Sequence, residues 1–556
     1  MNIRRGMKCR RGVVAVAGTA VAMGLVTAPA AEASPAEASA LAQYYQQQMS
    51  WAPCEPGTPP PGIPPEEWEK LWRGMECATV TVPMDYREPD NGRLSIAVSR
   101  REATDPAKRQ GVLLLNPGGP GGSGMLMPNN LAENNEVADS FDLIGFDPRG
   151  VGRSTRLQCE AGQWLERQTR PTDDRFPAIA AAALDRERAC QRAGGGLRPH
   201  ISTANTARDM DVIRAALGEK KINYLGFSYG TYLGAVYGSL FPGGLNRSVL
   251  DSSMHPDWLY YEQSKQQAVA ARENFDAWAA WVGERNDTYH LGDSAQQVRA
   301  NLETLRERLA AEPVPWPEQP DYVQIDGTLF DMMLGYETPY RAGWALFAEL
   351  VIKIKNAVGG ELPADAGKAL ATFADYAIPE THSGVFPTVT CEADWSADLN
   401  TYFDQMRVFR ERYPYGPGAS AAEPTECTFR SFTPPEPITD LKRDGYPVGV
   451  VVQAEFDPST QYDGGPAMAS RLENNLISVA DEGAHGLYGR NDCATRKIDD
   501  YLINGVLPGS HIVCAGTSPP DVPVDGSATR SAPRPTSSLE ERAADLIETS
   551  KLDRTF

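Results

Sequence analysis

The residue types able to do covalent chemistry converge on one pentapeptide. Gly226-Phe227-Ser228-Tyr229-Gly230 reads G-x-S-x-G, preceded by the apolar run Ile222–Phe227 and followed by the helix-forming stretch Thr231–Leu240. A serine on such a strand-to-helix turn needs glycine two residues before and two after, because the turn is too tight for side chains there. Its hydroxyl becomes a nucleophile only when a base takes the proton. The base must be one of six histidines: His200, His255, His290, His382, His485 and His511. His200 precedes the serine. His485 lies in Gly483-Ala484-His485-Gly486, a flexible loop after the strand-like Ile477–Ala480, from which an imidazole can swing over the end of a sheet. His255 follows Asp251 closely and reads as structural, while His290, His382 and His511 lack a strand-end setting. The expected acid is Asp457, which follows the run Val448–Ala454 and sits 28 residues before His485. Its task is to fix the imidazole tautomer and stabilise the imidazolium. Asp251, at the end of the strand after the pentapeptide's helix, is the rival acid; Glu455 and Asp463 read as solvated neighbours.

A tetrahedral intermediate also needs donors for its oxyanion. Asn116-Pro-Gly-Gly-Pro-Gly-Gly-Ser-Gly124 follows the apolar run Gly111–Leu115. Backbone N–H groups crowd a developing negative charge only where side chains are absent, which accounts for the glycines. Tyr229 and Gly119 are the expected donors. The stretch lacks the G-K-[ST] ending of a phosphate-binding loop, so nucleotide binding is set aside.

These residues need a scaffold that brings strand ends together. Ala78–Val82 and Leu94–Val98 read as an antiparallel pair turned at Asp90-Asn91-Gly92. Gly111–Leu115, Phe141–Phe146, Ile222–Phe227 and Arg247–Leu250 are short continuous apolar runs separated by helical stretches, as a parallel sheet covered on both faces requires. Between Met254 and Pro437 helical patterns dominate, with Val298, Leu302, Leu305 and Leu309 on one helical face, and tryptophan is frequent. Val448–Val452 then restores the strand pattern. A sheet interrupted by a helical insertion and resumed is the plan of a capped α/β hydrolase, in which serine, acid and histidine follow in that chain order. The expected architecture is an α/β-hydrolase fold with a mostly parallel sheet and a large, mainly helical cap. Its parts are a signal peptide over 1–33, an N-terminal arm over 34–76 that is irregular from Pro35 to about Pro65, core over 77–253, cap over 254–437, core again over 438–516, and a tail over 517–556 with a short helix from Ser538 to Lys551.

The first residues indicate the compartment. Arg4, Arg5, Lys8, Arg10 and Arg11 precede the apolar run Val13–Val26, and Ala28-Pro29-Ala30 and Ala31-Glu32-Ala33 supply cleavage spacing. The apolar run is short and rich in Gly and Ala against the ~20 residues of a spanning helix. Without Cys9, eight cysteines remain, an even number that argues for disulfides in an exported chain. Roughly a hundred pairings are open, but the cysteines fall into four neighbouring couples, 54–77, 159–190, 391–427 and 493–514. No C-x-x-C and no histidine pair has metal-ligand spacing, so neither metal nor organic cofactor is expected. The formal charge is −20, and losing the leader's five basic residues and one acidic one takes it to −24. So acidic a surface disfavours nucleic acid and anionic membranes as partners. The oligomeric state is open.

Asn116–Gly124, Gly145-Phe-Asp-Pro-Arg-Gly-Val-Gly-Arg-Ser154, Gly226-Phe-Ser-Tyr-Gly-Thr-Tyr232, Asp457-Pro-Ser-Thr460 and Gly483-Ala-His-Gly486 together resemble the secreted tripeptidyl aminopeptidases of actinomycetes, relatives of proline iminopeptidase. The resemblance runs from Cys77 to Cys514. It implies triad roles for Ser228, Asp457 and His485, and release of short peptides, typically tripeptides, from free N-termini of peptides and proteins. An exopeptidase of this kind must bind an α-ammonium and block the channel beyond it. In the cap, Cys391-Glu392-Ala393-Asp394-Trp395 sets two carboxylates beside an expected disulfide, and Glu392 or Asp394 is expected to read the N-terminus, against the alternative of an exposed acidic turn. A secreted esterase or lipase with the same triad, and a catalytically silent binding protein, are the other readings.

Overall fold

A computed structural model describes residues 35–60, 63–132, 136–163, 165–318, 324–374, 384–526 and 537–550. The expected signal peptide and His382 lie outside them. Twelve strands occur among the described residues: β1 (Ala52–Pro53), β2 (Glu76–Pro83), β3 (Arg93–Arg101), β4 (Val112–Asn116), β5 (Asp142–Phe146), β6 (Ile222–Phe227), β7 (Leu245–Asp251), β8 (Val314–Pro315), β9 (Gln324–Ile325), β10 (Val450–Ala454), β11 (Asn475–Ala480) and β12 (His511–Ala515). Ten of them form one sheet in the order β1-β2-β3-β5-β4-β6-β7-β10-β11-β12; β8 and β9 pair separately in the insertion. Neighbours are antiparallel from β1 to β5 and parallel from β5 to β12.

Every residue of β4, β5, β6 and β10 is buried, which is why these segments read as unbroken apolar runs. Side chains alternate between faces: Val112 and Leu114 enter one core layer with the helices Thr203–Ala216 and Tyr229–Leu240, whereas Leu113 and Leu115 enter the other with Asp492–Asn504. The chain leaves β4 toward β5 on one side and returns to β6 on the other. That reversal opens a crevice at the carboxyl ends of β4 and β6, where open α/β sheets bind ligands. Asn116, the last residue of β4, lies opposite Gly226 in β6. The glycine-rich loop and the serine turn therefore emerge side by side.

The insertion is helical, with long members Tyr261–Gly283, Ala295–Ala311, Gly327–Tyr336, Trp344–Ala357 and Leu399–Arg412. Its core contains Trp278, Trp281, Trp316 and Trp344. Val298, Leu302, Leu305 and Leu309 are the four buried residues of Ala295–Ala311. All four expected cysteine couples are disulfides.

Several segments differ from the sequence reading, among them β1, which pairs with β2 inside the stretch expected to be irregular. Pro35–Tyr45, expected to be irregular, is a helix, because its four alanines favour one and Tyr44 docks into the core with its hydroxyl on Pro89 O. His511–Ala515 is an edge strand that the sequence reading left unassigned; its short apolar run Ile512–Ala515 lies at the border of the tail and is largely exposed. The helix Leu539–Ser550, close to the one expected, buries Leu539 and Ala543 in the cap's core.

Candidate active site

Ser228 caps the helix Tyr229–Leu240 with φ 57° and ψ −127°. This left-handed conformation is costly for a residue with a side chain and is held only by surrounding packing. Both flanking glycines are required. A Cβ on Gly226 would stand 2.5 Å from Gly230 O and 2.6 Å from the Tyr224 ring, and one on Gly230 would stand 2.8 Å from Asn116 Oδ1. Thr231 N–H donates to Ser228 O at 2.9 Å, closing the first turn.

Asp457 and His485 meet. His485 Nδ1 lies 2.9 and 3.0 Å from the two oxygens of the Asp457 carboxylate. Asp457 is buried, and it also accepts from Ser459 N–H at 2.8 Å, Thr460 N–H at 2.9 Å and the Thr460 hydroxyl at 2.9 Å. Its charge is therefore compensated by oriented dipoles as well as by the imidazole. The loop that carries the aspartate is held from the cap: Gln263 and Gln267 donate to Ser459 O, and Asn274 donates to Phe456 O.

Asp251 does not take the acid's place. Its carboxylate accepts from Leu487 N–H at 3.0 Å and Tyr488 N–H at 2.7 Å, while its carbonyl accepts from Ser228 N–H at 3.0 Å. Next to it, Ser252 Oγ accepts from Gly486 N–H at 2.7 Å. One dipeptide at the end of β7 thus binds the backbone of both the serine turn and the histidine loop. Complete burial pushes the Asp251 carboxyl up to about 6 despite these donors. Arg490, donating to His485 O at 2.8 Å, adds a further tie. Sequence spacing identified Asp251 only as a possible acid; the signal for its bridging role is the adjacency of β7 to both β6 and β10.

In the glycine-rich loop, Gly118 makes the closest approach to the serine turn. A Cβ there would stand 2.5 Å from Phe227 O and 3.0 Å from Tyr229 N, and its φ is +98°. Gly118 N–H is committed to Asn116 Oδ1 at 3.0 Å. Among the described residues neither Gly119 N–H nor Tyr229 N–H has an acceptor. The loop's far end is anchored by Asp147, which accepts from Ser123 Oγ at 2.5 Å and Arg153 N–H at 2.6 Å. Two residues on, buried Arg149 pairs with buried Asp209 at 2.6 Å. The Asp-Pro-Arg-Gly segment is thus a pair of structural pins.

The two cap carboxylates diverge. Glu392 is half-buried and occupied: Thr203 N–H at 2.9 Å, the Thr203 hydroxyl at 2.5 Å and the Tyr260 hydroxyl at 2.8 Å all donate to it. Thr203 Oγ1 is also 2.8 Å from Tyr229 Oη. Burial raises the Glu392 carboxyl above its ordinary range. Asp394 is exposed. The remaining described histidines have other roles or settings. His255 stacks on Trp258 and accepts from Asp257 N–H, His511 bonds Ser478, His200 stands 3.7 Å from Asp85, and His290 ends a short helix with φ 52°. Among the described residues no group of three or more His, Cys, Asp or Glu is placed to hold a metal ion, and no helix is long and apolar enough to cross a membrane.

Comparison with known proteins agrees with this geometry. A family described as alpha/beta hydrolase fold matches residues 111–358, and one described as TAP-like protein matches residues 413–514. The chain is 35% identical to the tripeptidyl aminopeptidase of Streptomyces lividans over 501 residues, covering 87% of this chain and 89% of that protein. It is 31% identical to a protein named carboxylesterase B from Mycobacterium tuberculosis, covering 80% of this chain and 87% of that one. Serine protease Hip1 of the same organism is 27% identical, with 84% and 91% covered. A capped α/β-hydrolase sheet, a serine turn and an extended match of this kind place the chain in the tripeptidyl aminopeptidase family of α/β hydrolases.

Proposed function

We propose that this chain is a secreted serine exopeptidase that releases short peptides, tripeptides foremost, from free N-termini. The observation that carries the reading is the buried Asp457 bonded to His485 Nδ1, with the histidine loop and the Ser228 turn bound to one dipeptide. With Nδ1 engaged by the acid, Nε2 is the nitrogen left to take the Ser228 proton. Ser228 attacks the scissile carbonyl, and the Tyr229 and Gly119 N–H groups hold the oxyanion. His485 returns the proton to the leaving amine, and water then hydrolyses the acyl-enzyme. No step calls on a metal or organic cofactor.

Peptide specificity is supported by the relatives named tripeptidyl aminopeptidase and serine protease. Secretion is supported by the leader-like first 33 residues and by the disulfides. Glu392 and Asp394 remain the sequence-derived candidates for reading the N-terminus. The relative named carboxylesterase B favours a second reading, an esterase with the same triad. Hydrolysis of Ala-Ala-Pro-aminomethylcoumarin and of its N-acetylated twin, with Ser228→Ala as the blank, separates the two. Cleavage of the free peptide alone supports the aminopeptidase. Cleavage of neither, with turnover of a short nitrophenyl ester, transfers the triad to an esterase.

A further inference from the structure

We infer that Glu392 is a positioning residue for the oxyanion site: through Thr203 it fixes Tyr229, the residue whose backbone N–H is expected to meet the developing negative charge. This rests on the role given above to Tyr229, and not on whether the substrate is a peptide or an ester. The link is a directed chain of hydrogen bonds. With the carboxylate ionised, the single hydroxyl proton of Thr203 goes to Glu392 at 2.5 Å. Tyr229 Oη, 2.8 Å from Thr203 Oγ1, is then the donor in that contact. Thr203 N–H at 2.9 Å and the Tyr260 hydroxyl at 2.8 Å complete the set on Glu392. Thr203, Tyr229 and Tyr260 are all buried, so these bonds are made away from competing water.

Glu392 is itself immobilised. The Cys391–Cys427 disulfide immediately precedes it, and Arg430 donates to the carbonyls of Cys391 and Ala393 on either side. Its own N–H bonds Val389 O at 3.0 Å. The carboxylate accepts the first N–H of the helix Thr203–Ala216, where the helix dipole favours a negative charge. Tyr260 caps the helix Tyr261–Gly283, which holds the Asp457 segment, so one carboxylate ties the cap to both the core and the serine turn. Three donors already compensate its charge, which makes it a fixed anchor. Such an anchor matters because Ser228 has a strained backbone, φ 57°, which persists only where its surroundings over-determine it. Asp251 O holds the Ser228 N–H on one side. On the other, the Tyr229 side chain is pinned at its tip by Thr203. An oxyanion donor contributes fully only when it is aimed before the charge develops.

The test compares wild type, Tyr229→Phe, Glu392→Gln and the double variant on the free tripeptidyl-coumarin, its N-acetylated twin and a short nitrophenyl ester, together with inhibition by a tripeptide aldehyde. Ser228 Oγ adds to the aldehyde carbon as its proton passes to His485, and the former carbonyl oxygen becomes the oxyanion. Tyr229→Phe keeps the ring and the backbone N–H and removes only the tether. Displacement of the donor predicts that each single variant lowers kcat roughly 10-fold on whichever substrate wild type cleaves, with KM within about threefold. Aldehyde inhibition should weaken by a similar factor, because the adduct reports the oxyanion site directly. The double variant should match the slower single one within about twofold, since both changes cut one chain. A kcat for Tyr229→Phe within about twofold of wild type, or losses that multiply in the double variant, overturns the assignment and leaves the exopeptidase reading intact. Loss of discrimination between free and blocked peptide in Glu392→Gln, with ester turnover retained, also overturns it and makes Glu392 a contact of the substrate's N-terminus. If Glu392→Gln does not fold, Tyr229→Phe decides alone. If wild type cleaves the ester and neither peptide, the exopeptidase reading falls and the ester rates still decide this assignment. If wild type cleaves none of the three, both fall.

Discussion

At the scale of single residues, the site separates groups that do chemistry from groups that hold them in place. Asp251 is of the second kind. Its backbone carbonyl fixes the Ser228 turn and its carboxylate fixes the loop just after His485. Asp251→Ala should lower kcat roughly 10- to 100-fold with KM changed less than about threefold, because a base displaced by a fraction of an ångström still leaves the binding cleft intact. Steady-state kinetics on a substrate cleaved by wild type checks this, and an unchanged kcat removes the clamp. Glu337 makes a prediction about stability. Its folded-state carboxyl is raised to about 8 against about 4.5 for an ordinary glutamate. The unfolded chain therefore loses its proton first. Stability associated with this group is intact below about pH 4.5 and is lost as pH rises through 8. Glu337→Gln should raise Tm relative to wild type at pH 8.5 and leave it nearly unchanged at pH 4.5, read by thermal melts at the two pH values.

At the scale of elements, the helix Ala295–Ala311 illustrates what patterning decides. Val298, Leu302, Leu305 and Leu309 recur at spacings of three and four and are its buried residues. Leu305→Ala should destabilise the cap by about 2–5 kcal/mol through lost burial plus the cavity left behind. Chemical denaturation would register this as a lower midpoint. The helix Tyr261–Gly283 does more than pack. Through Gln263, Gln267 and Asn274 it holds the segment Phe456–Ser459 around Asp457. The cap thus holds the Asp457 segment while Asp251 holds the loop after His485. Patterning gives no warning of these amide contacts, since glutamine and asparagine on a long helix read equally well as solvated.

At the scale of the whole molecule, the first and last described segments pack on the body. The segment Pro35–Tyr45 docks through Tyr44, and the far helix Leu539–Ser550 lies on the cap with Arg542 paired to Glu349. Removing residues 527–556 should expose the apolar surface under Leu539 and Ala543 and loosen the helices Trp344–Ala357 and Ala364–Ala374. Limited proteolysis should then cut the cap faster than in the full chain; an equal rate would mean the tail adds nothing to cap stability. The four disulfides lie within local couples 21 to 36 residues apart, so each staples one region and none joins distant parts of the chain.

By itself the sequence indicated the buried strands, the serine turn and the neighbouring cysteine couples, because each is written in local chemistry. Continuous apolar runs specify strands buried on both faces, glycines at fixed offsets specify a turn too tight for side chains, and cysteines close in the chain have the shortest loops to close. It also singled out Asp457 and His485, which the fold brings together, since strand-end positions are visible in the runs before them. It missed β12, a short apolar run at the sheet's edge beside the tail, and the helix Pro35–Tyr45, whose docking depends on a distant surface. Only the tertiary structure decided what the remaining acids do. Asp251 became a backbone clamp, Glu392 a saturated acceptor and Glu337 an unanswered carboxylate. The physical reason is that a carboxylate's role depends on which donors surround it. Here those donors come from chain segments as far apart as Thr203 and Glu392, or Asp251 and Tyr488, which only the folded chain brings within hydrogen-bonding distance.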